Sequence, residues 1–233
     1  NIFVVSVMPC TAKKFEANRE EMALDGLKDV DVVLTTRELA KMIKQVRINF
    51  TALSEGKYDS ILGDSTGAAV IFGATGGVME AALRTVADIL TGQDLKKIDY
   101  TPVRGMEGIK EASVNVDGVD IKVAVAHGTG NAAKLLDSIK DGKAEYHFIE
   151  VMACPGGCIN GGGQPILLDK EKTEEVKKLR AQGLYKIDKE DRRFRKSHEN
   201  PEVKKLYEDY LEEPNSHIAH RLLHTRYIER DRA

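Results

Sequence analysis

Two periodicities of apolar and polar positions alternate along this chain, and the switches between them mark its elements. Residues 2–8, "IFVVSVM", are apolar and β-branched almost without a break, which predicts a buried strand ending at Pro9-Cys10. Thr11 is placed to cap a helix over "AKKFEANREEMALDG", closed near Gly26. "VDVVLT", residues 30–35, predicts a second buried strand, and Thr36 caps "RELAKMIKQV". The pattern fades into loop from Ile48 to Thr66. From Gly67 to Gly92 a glycine-rich turn passes into a strongly periodic helix starting near Gly77. "KEASVNVDGVDIKVAVAHG" alternates on both sides of Asp117-Gly118, a hairpin signal. "GNAAKLLDSIKDG" reads as a short helix, and "YHFIEVM" as a last buried strand running into Cys154. Strands alternating with helices predict an α/β fold, a mostly parallel sheet flanked by helices.

Beyond Pro165 the pattern changes. The remaining sequence is charged, nearly free of β-branched runs and helical in period, with apolar stripes too thin to hold a fold by themselves. Residues 171–233 therefore read as a helical tail that wraps a body formed by residues 1–170.

Composition narrows the class. With 233 residues, 42% hydrophobic and 31% charged, the chain can bury one large core or two small ones. A net charge of −2 provides no basic field for nucleic acid or an anionic membrane surface. No apolar run approaches the roughly 18 residues of a membrane span, and no segment reads as a signal peptide. Three cysteines are too few and odd in number for a secreted disulfide framework, so a reducing cytoplasm fits best. The chain opens at Asn1 directly on a strand, which suggests that it was cut from something longer.

Chemistry concentrates at the cysteines. Cys10 ends the first predicted strand, Cys154 the last, and Cys158 lies one short loop beyond. The carboxyl ends of parallel strands form a rim where ligands sit, so residues far apart in sequence can meet there. Cys10 also precedes a helix start, where the dipole favours thiolate. Glycines at 156, 157 and 161–163 would let backbone N–H groups turn toward an anionic object. A lone cysteine after a strand is usually a small buried hydrophobe. Structural zinc and redox dithiols both favour a CxxC spacing, which is absent here. Thiolates around a glycine-lined bowl suit an iron–sulfur cubane better; it needs about four ligands, and this chain offers three. "GATGGVMEA" lacks the lysine of a phosphate loop, and close packing explains its glycines better.

"MPCTAKKFE" (Met8–Glu16) and "EVMACPGGCINGGGQP" (Glu150–Pro165) resemble the second and third signature motifs of the [FeFe]-hydrogenases. "IFGATGGVMEAALR" (Ile71–Arg84) is similar to that family too, and the charged stretch from about Glu171 to Arg226 resembles its small subunit. The resemblance covers essentially the whole chain, but the family's first cysteine motif is missing. It implies that residues 1–170 are the C-terminal lobe of the H-cluster domain and residues 171–233 a small-subunit-like tail. It further implies a [4Fe–4S] cluster joined to a two-iron subcluster, together the H-cluster, and reversible formation of H2 from protons and electrons. Cys10, Cys154 and Cys158 would be cubane ligands, with Cys158 the bridge to the two-iron unit. The fourth ligand and a proton-relaying cysteine would lie on a missing N-terminal part, beside ferredoxin-like domains that exchange electrons. This chain alone is expected to be inactive. Neither nucleic acid nor membrane is an expected partner.

The neighbours of the cysteines acquire roles under that resemblance. Lys13 stands one helical turn after Cys10, so its ammonium can face the same cavity and hold a buried anionic cyanide. Lys14 reads as the solvated surface lysine. Met8, Met152 and Phe72 would line the cavity with polarizable, non-titrating groups, ordinary core packing being the alternative for each. Glu16, one turn past Lys13, would be a proton-path carboxylate or else a helix-surface partner of Arg19. A hydrogenase-like scaffold or assembly protein, a hydrogen sensor and a zinc-stabilised interaction module are the competing readings.

Overall fold

The computed structural model describes residues 2–59, 62–95, 99–191 and 193–225, so the end of the tail, residues 226–233, lies outside the described residues. The first apolar run forms strand β1 (Val5–Met8), followed by a short helix α1 (Ala12–Glu16). The helix expected to reach Gly26 ends ten residues earlier. A 3-10 turn leads instead into a hairpin of β2 (Ala23–Leu24) and β3 (Leu27–Lys28). Asp25 and Gly26 both take positive φ, 52° and 79°, so this Asp-Gly pair turns a hairpin rather than stopping a helix.

Strand β4 (Val32–Thr35) pairs parallel to β1, with Val5 opposite Val32 and Met8 opposite Thr35. β1 is not buried: its residues alternate between exposed and half-buried, because β4 is its sole strand neighbour among the described residues. Helix α2 (Thr36–Gln45) follows at once. Its cap is Thr35, one residue before the expected Thr36: Thr35 Oγ1 accepts from the Glu38 N–H, and the Glu38 carboxylate accepts from the Thr35 N–H.

Helix α3 (Gly67–Ile71), capped by Thr66, occupies what reads in the sequence as a glycine-rich turn. Helix α4 (Gly77–Thr91) begins where its period predicts and runs between left-handed Gly76 and Gly92. Strands β5 (Ile109–Val116) and β6 (Val119–His127) form the expected hairpin about Asp117-Gly118, helix α5 (Thr129–Lys140) crosses over, and β7 (Phe148–Met152) returns parallel to β6.

Period-two alternation places β6 between two helical layers. Val123 and Val125 join Val114, Val116 and Val103 against Met79, Leu83 and Ala87 of α4. Ala124 and Ala126 face the other way, onto Leu135 of α5. The fold is thus α/β, with two parallel pairings and two antiparallel hairpins among the described residues. β7 departs from the expected buried strand. It lies at the edge of its sheet, and its buried position is Glu150.

The tail forms α6 (Lys170–Lys186), α7 (Pro201–Leu206) and α8 (His217–Leu223), with π-helical turns after the first two. Its apolar footing is small: Ala181, Leu184 and Tyr185 pack on Ala74, Ile159 and Met106. Charge supplies the rest. Arg84 of α4, fully buried, holds Asp188 at 2.8 and 2.9 Å, Glu80 at 2.8 Å and the Arg195 carbonyl at 2.8 Å. Arg104 grips the buried Glu80 with two bonds and lies 4.2 Å over the Tyr185 ring. Lys196, also buried, reaches Asp88 at 2.5 Å and Asp94 at 2.6 Å.

Candidate cluster site at the cysteine junction

Cys10 follows β1, Cys154 follows β7, and Cys158 opens a 3-10 turn (Cys158–Asn160); all three are free thiols. β1 and β7 belong to different sheets, so no single sheet edge unites them. The loop between residues 156 and 163 does so instead. Gly163 donates to the Pro9 carbonyl at 2.9 Å, and a Cβ on Gly163 would sit 2.7 Å from the Pro9 carbonyl carbon and 2.9 Å from the Cys10 nitrogen. At the loop's other end, Gly157 has φ +98°, and a Cβ there would meet the Gly73 carbonyl oxygen at 2.6 Å. Ile159 N–H donates to that same carbonyl at 3.0 Å, and Thr75 N–H to the Gly156 carbonyl at 3.2 Å.

These contacts correct the expected role of the glycines. At Gly157, Gly161 and Gly163 bareness admits the chain's own backbone. The N–H groups of Gly156, Gly157, Gly161 and Gly163 go to His127 Nδ1, the Cys154 carbonyl, the Cys158 carbonyl and the Pro9 carbonyl respectively. The junction is further tied by Arg37, whose N–H reaches the Gly163 carbonyl and whose guanidinium reaches that of Gln164 at 2.5 Å. From the tail, Arg180 donates to the Ile159 carbonyl at 3.0 Å.

The thiols feel one another across this junction. Although Cys158 is exposed as a residue, its thiol pKa is raised. Partial burial of the sulfur is the first cause, the neighbouring Cys154 and Cys10 come next, and Lys13 acts in the opposite direction. Cys10, Cys154, Cys158 and Lys13 therefore share one electrostatic neighbourhood. Among the described residues, no group of three or more His, Cys, Asp and Glu side chains is set to hold a metal ion. A single zinc has no ready ligand set there. A cubane, whose four thiolates each take a different iron, fits the three separate thiols better.

Lys13 lines a cleft of about 310 Å³ with Cys10, Ala12, Phe15, Glu16 and Arg19. Its ammonium pairs with the Glu16 carboxylate, one turn away, while Arg19 pairs with Glu21. Lys14 is not simply solvated: it bonds the Val33 carbonyl and Glu38, both at 2.9 Å, and so locks α1 onto β4 and α2. Met8 and Met152 are half-buried, each two residues before a cysteine, and the Met152 carbonyl accepts from Gly128 at 2.7 Å. Phe72 is 44% exposed at the C-terminus of α3, next to the Gly73 that meets Gly157.

The sequence alone assigned no role to two buried side chains behind the cysteines. His127 accepts the Gly156 N–H on Nδ1 at 2.6 Å, and its buried Nε2 has no hydrogen-bond partner. Glu150 accepts two backbone N–H groups of α4. The only sequence signal was position: both lie at or near the carboxyl ends of paired parallel strands, of which β7 leads into the cysteine loop.

Comparison with known proteins places this junction in a class. Residues 1–162 match the family described as "Iron only hydrogenase large subunit, C-terminal domain", and residues 174–230 match "Iron hydrogenase small subunit". The chain belongs to the iron-only hydrogenase family. It is 52% identical over 99% of its length to NADP-reducing hydrogenase subunit HndD of Solidesulfovibrio fructosivorans, covering 39% of that protein. It is 50% identical over 97% of its length to iron hydrogenase 1 of Clostridium pasteurianum, covering 40% of it. A solved structure of [FeFe]-hydrogenase HydA1 from Chlamydomonas reinhardtii superimposes with a TM-score of 0.76 at 42% identity, over 97% of this chain and 63% of that one. A more distant relative, at 34% identity over 97% of the chain and 47% of the relative, is the cytosolic iron-sulfur assembly component 3 of Mus musculus. The chain thus spans about two fifths of the length of the hydrogenase relatives it matches. No helix among the described residues is long and apolar enough to cross a membrane.

Proposed function

We propose that this chain is the C-terminal part of an iron-only hydrogenase and carries three of the four thiolates of its cubane. The observation behind this reading is the junction itself, where Cys10, Cys154 and Cys158 come from separate elements into one neighbourhood with Lys13. Bound there, the H-cluster supplies the redox chemistry that joins two protons and two electrons into H2 and reverses it. Cys10, Cys154 and Cys158 would hold the cubane, and Cys158 would also hold the two-iron unit. Lys13 would present a compact cation to the anionic cyanide ligands, since an unpaired buried anion costs several kcal/mol. Glu16, paired with Lys13, accepts and returns protons at the mouth of the cleft. Met8, Met152 and Phe72 do not line the Lys13 cleft itself; on this reading they would shield the bound cluster with groups that neither titrate nor bring in water.

The remaining three fifths of the enzyme would supply the fourth thiolate, the relay cysteine and ferredoxin-like electron carriers, in a reducing compartment such as the cytoplasm. On this reading residues 1–170 act as the C-terminal lobe of the H-cluster domain, and residues 171–233 as its small-subunit-like tail. The chain alone does not turn over H2.

The likeness to an assembly component supports a second reading, a protein that holds cubanes without a two-iron unit. Maturation of the full-length protein separates the two. The hydrogenase reading expects infrared bands of metal-bound CO and CN together with H2 evolution, and Cys158→Ala should abolish both while leaving at most a cubane. A full-length protein with iron but no such bands supports the second reading. Full CO and CN intensity in Cys158→Ala disproves the bridge.

A further inference from the structure

Glu150 opens the segment "EVMACPGGC", and none of the roles above uses it. It is the buried position of β7, 5% exposed, on a strand whose other residues are exposed or half-buried. Its carboxylate reaches across to α4, a helix whose N-cap is Gly76 and which has no side-chain cap of its own. One carboxylate oxygen accepts the Gly76 N–H at 2.6 Å, the other the Met79 N–H at 2.7 Å. Both donors are buried and would otherwise go unmet, at about 1–3 kcal/mol each. The negative charge also faces the positive end of the helix dipole. Lys110 of β5 is the cation facing the carboxylate, and its own ammonium is held by the Val103 and Gly105 carbonyls at 2.6 and 3.1 Å.

The turn that leads into α4 is gripped a second time by the loop that follows this strand. Past Cys154, the Gly156 carbonyl accepts the Thr75 N–H, and Ile159 donates to the Gly73 carbonyl. Cys154 therefore lies between two anchors on one turn, four residues after the Glu150 carboxylate and two before Gly156. An edge strand with little apolar footing can slide or rotate unless directional bonds hold it. Beside the ladder to β6, two short bonds from one carboxylate to N–H groups three residues apart on another element do that.

We propose that Glu150 is a positioning residue for Cys154: by pinning β7 to the start of α4 it sets where that thiol stands and how firmly it is held. The inference rests on Cys154 being a cubane ligand. The test uses the full-length protein reconstituted with its [4Fe–4S] cluster, comparing the parent with Glu150→Gln and Glu150→Asp. Glutamine keeps the size and one acceptor but turns an NH2 group toward a backbone N–H; aspartate keeps the charge at shorter reach. The readouts are the electron paramagnetic resonance spectrum of the reduced cubane, the rate of iron loss to a chelator, and melting of the apo protein. Glu150→Gln should alter the spectrum and lose iron about tenfold faster, the range seen when outer partners of metal ligands are removed. Glu150→Asp should fall between it and the parent. If Glu150→Gln keeps the parent's spectrum and chelator resistance, even with a lower apo melting temperature, Glu150 is only a helix cap and the proposal is overturned. If Glu150→Gln does not fold, Glu150→Asp decides by the same two cluster readouts. A parent that takes up no cubane at all sinks the hydrogenase reading itself, which these controls distinguish from failure of the Glu150 role.

Discussion

Helix α4 and strand β1 are both largely apolar in sequence, yet one is buried and the other open. Met79, Leu83 and Ala87 of α4 are at most 3% exposed, under β5 and β6 on one side and the tail's charges on another. Val5 and Val7 of β1 remain 46% and 45% exposed, with Phe3 and Phe15 nearby in sequence more open still. The half around α4 closes upon itself; the half around β1, which carries Cys10 and Lys13, leaves an apolar face uncovered. Such a face normally marks a contact surface. Folding strength thus resides in one half, and the candidate chemistry lies where the two meet, Cys154 and Cys158 coming from the first and Cys10 and Lys13 from the second.

Arg84→Ala would break this contrast most forcefully. It removes a cation shared by Glu80 and Asp188, whose side chains are at most 1% exposed, and leaves each buried carboxylate with one guanidinium, Arg104 for Glu80 and Arg195 for Asp188. Loss of one member of such a group costs about 3–5 kcal/mol. Denaturant unfolding should show that loss, together with earlier proteolysis of the tail. A change below about 1 kcal/mol would mean that packing, not charge, holds the tail.

Lys13→Ala probes the open half. The side chain is 45% exposed, so stability should move by no more than about 0.5 kcal/mol. In the matured full-length enzyme, the CO and CN infrared bands should nevertheless fall sharply while cubane iron stays near the parent's level. Lys13→Asn, which keeps a donor without the charge, should lie between. Unchanged infrared intensity in Lys13→Ala would reduce the lysine to a partner of Glu16.

The smallest effect is expected at Glu38, where α1 and α2 meet. The Thr35 backbone N–H, then Lys14, hold its carboxyl at about 2, below the ordinary 4.5. Because the unfolded chain takes up this proton first as pH falls, the stabilisation is complete above about 4.5 and is lost on descent toward 2. The difference in urea midpoint between parent and Glu38→Gln should therefore shrink through that window. A difference that stays constant down to pH 2.5 assigns the effect to something other than the carboxylate's charge.

Local signals carried much of this molecule. The Asp117-Gly118 hairpin, the helix from Gly77 and the three cysteines at element ends were legible because each depends on neighbours a few residues away. The α/β class followed from the same alternation. Other features lay beyond such signals. The stretch after Thr11 reads as one helix, but its later part pairs as a hairpin at Asp25-Gly26. "YHFIEVM" reads as a buried strand, but with β6 alone beside it, its buried residue is a glutamate reaching for a helix N-terminus. The glycines were visible as a need for close approach, while the thing approached, the backbone at Pro9, Cys10 and Gly73, comes from chain 84 to 154 residues away. By itself, the sequence determined periodicity, turns and the supply of thiols. Which face is covered, which carboxylate is buried and which segments meet were decided by the tertiary structure, because burial is a property of distant partners that no local pattern contains.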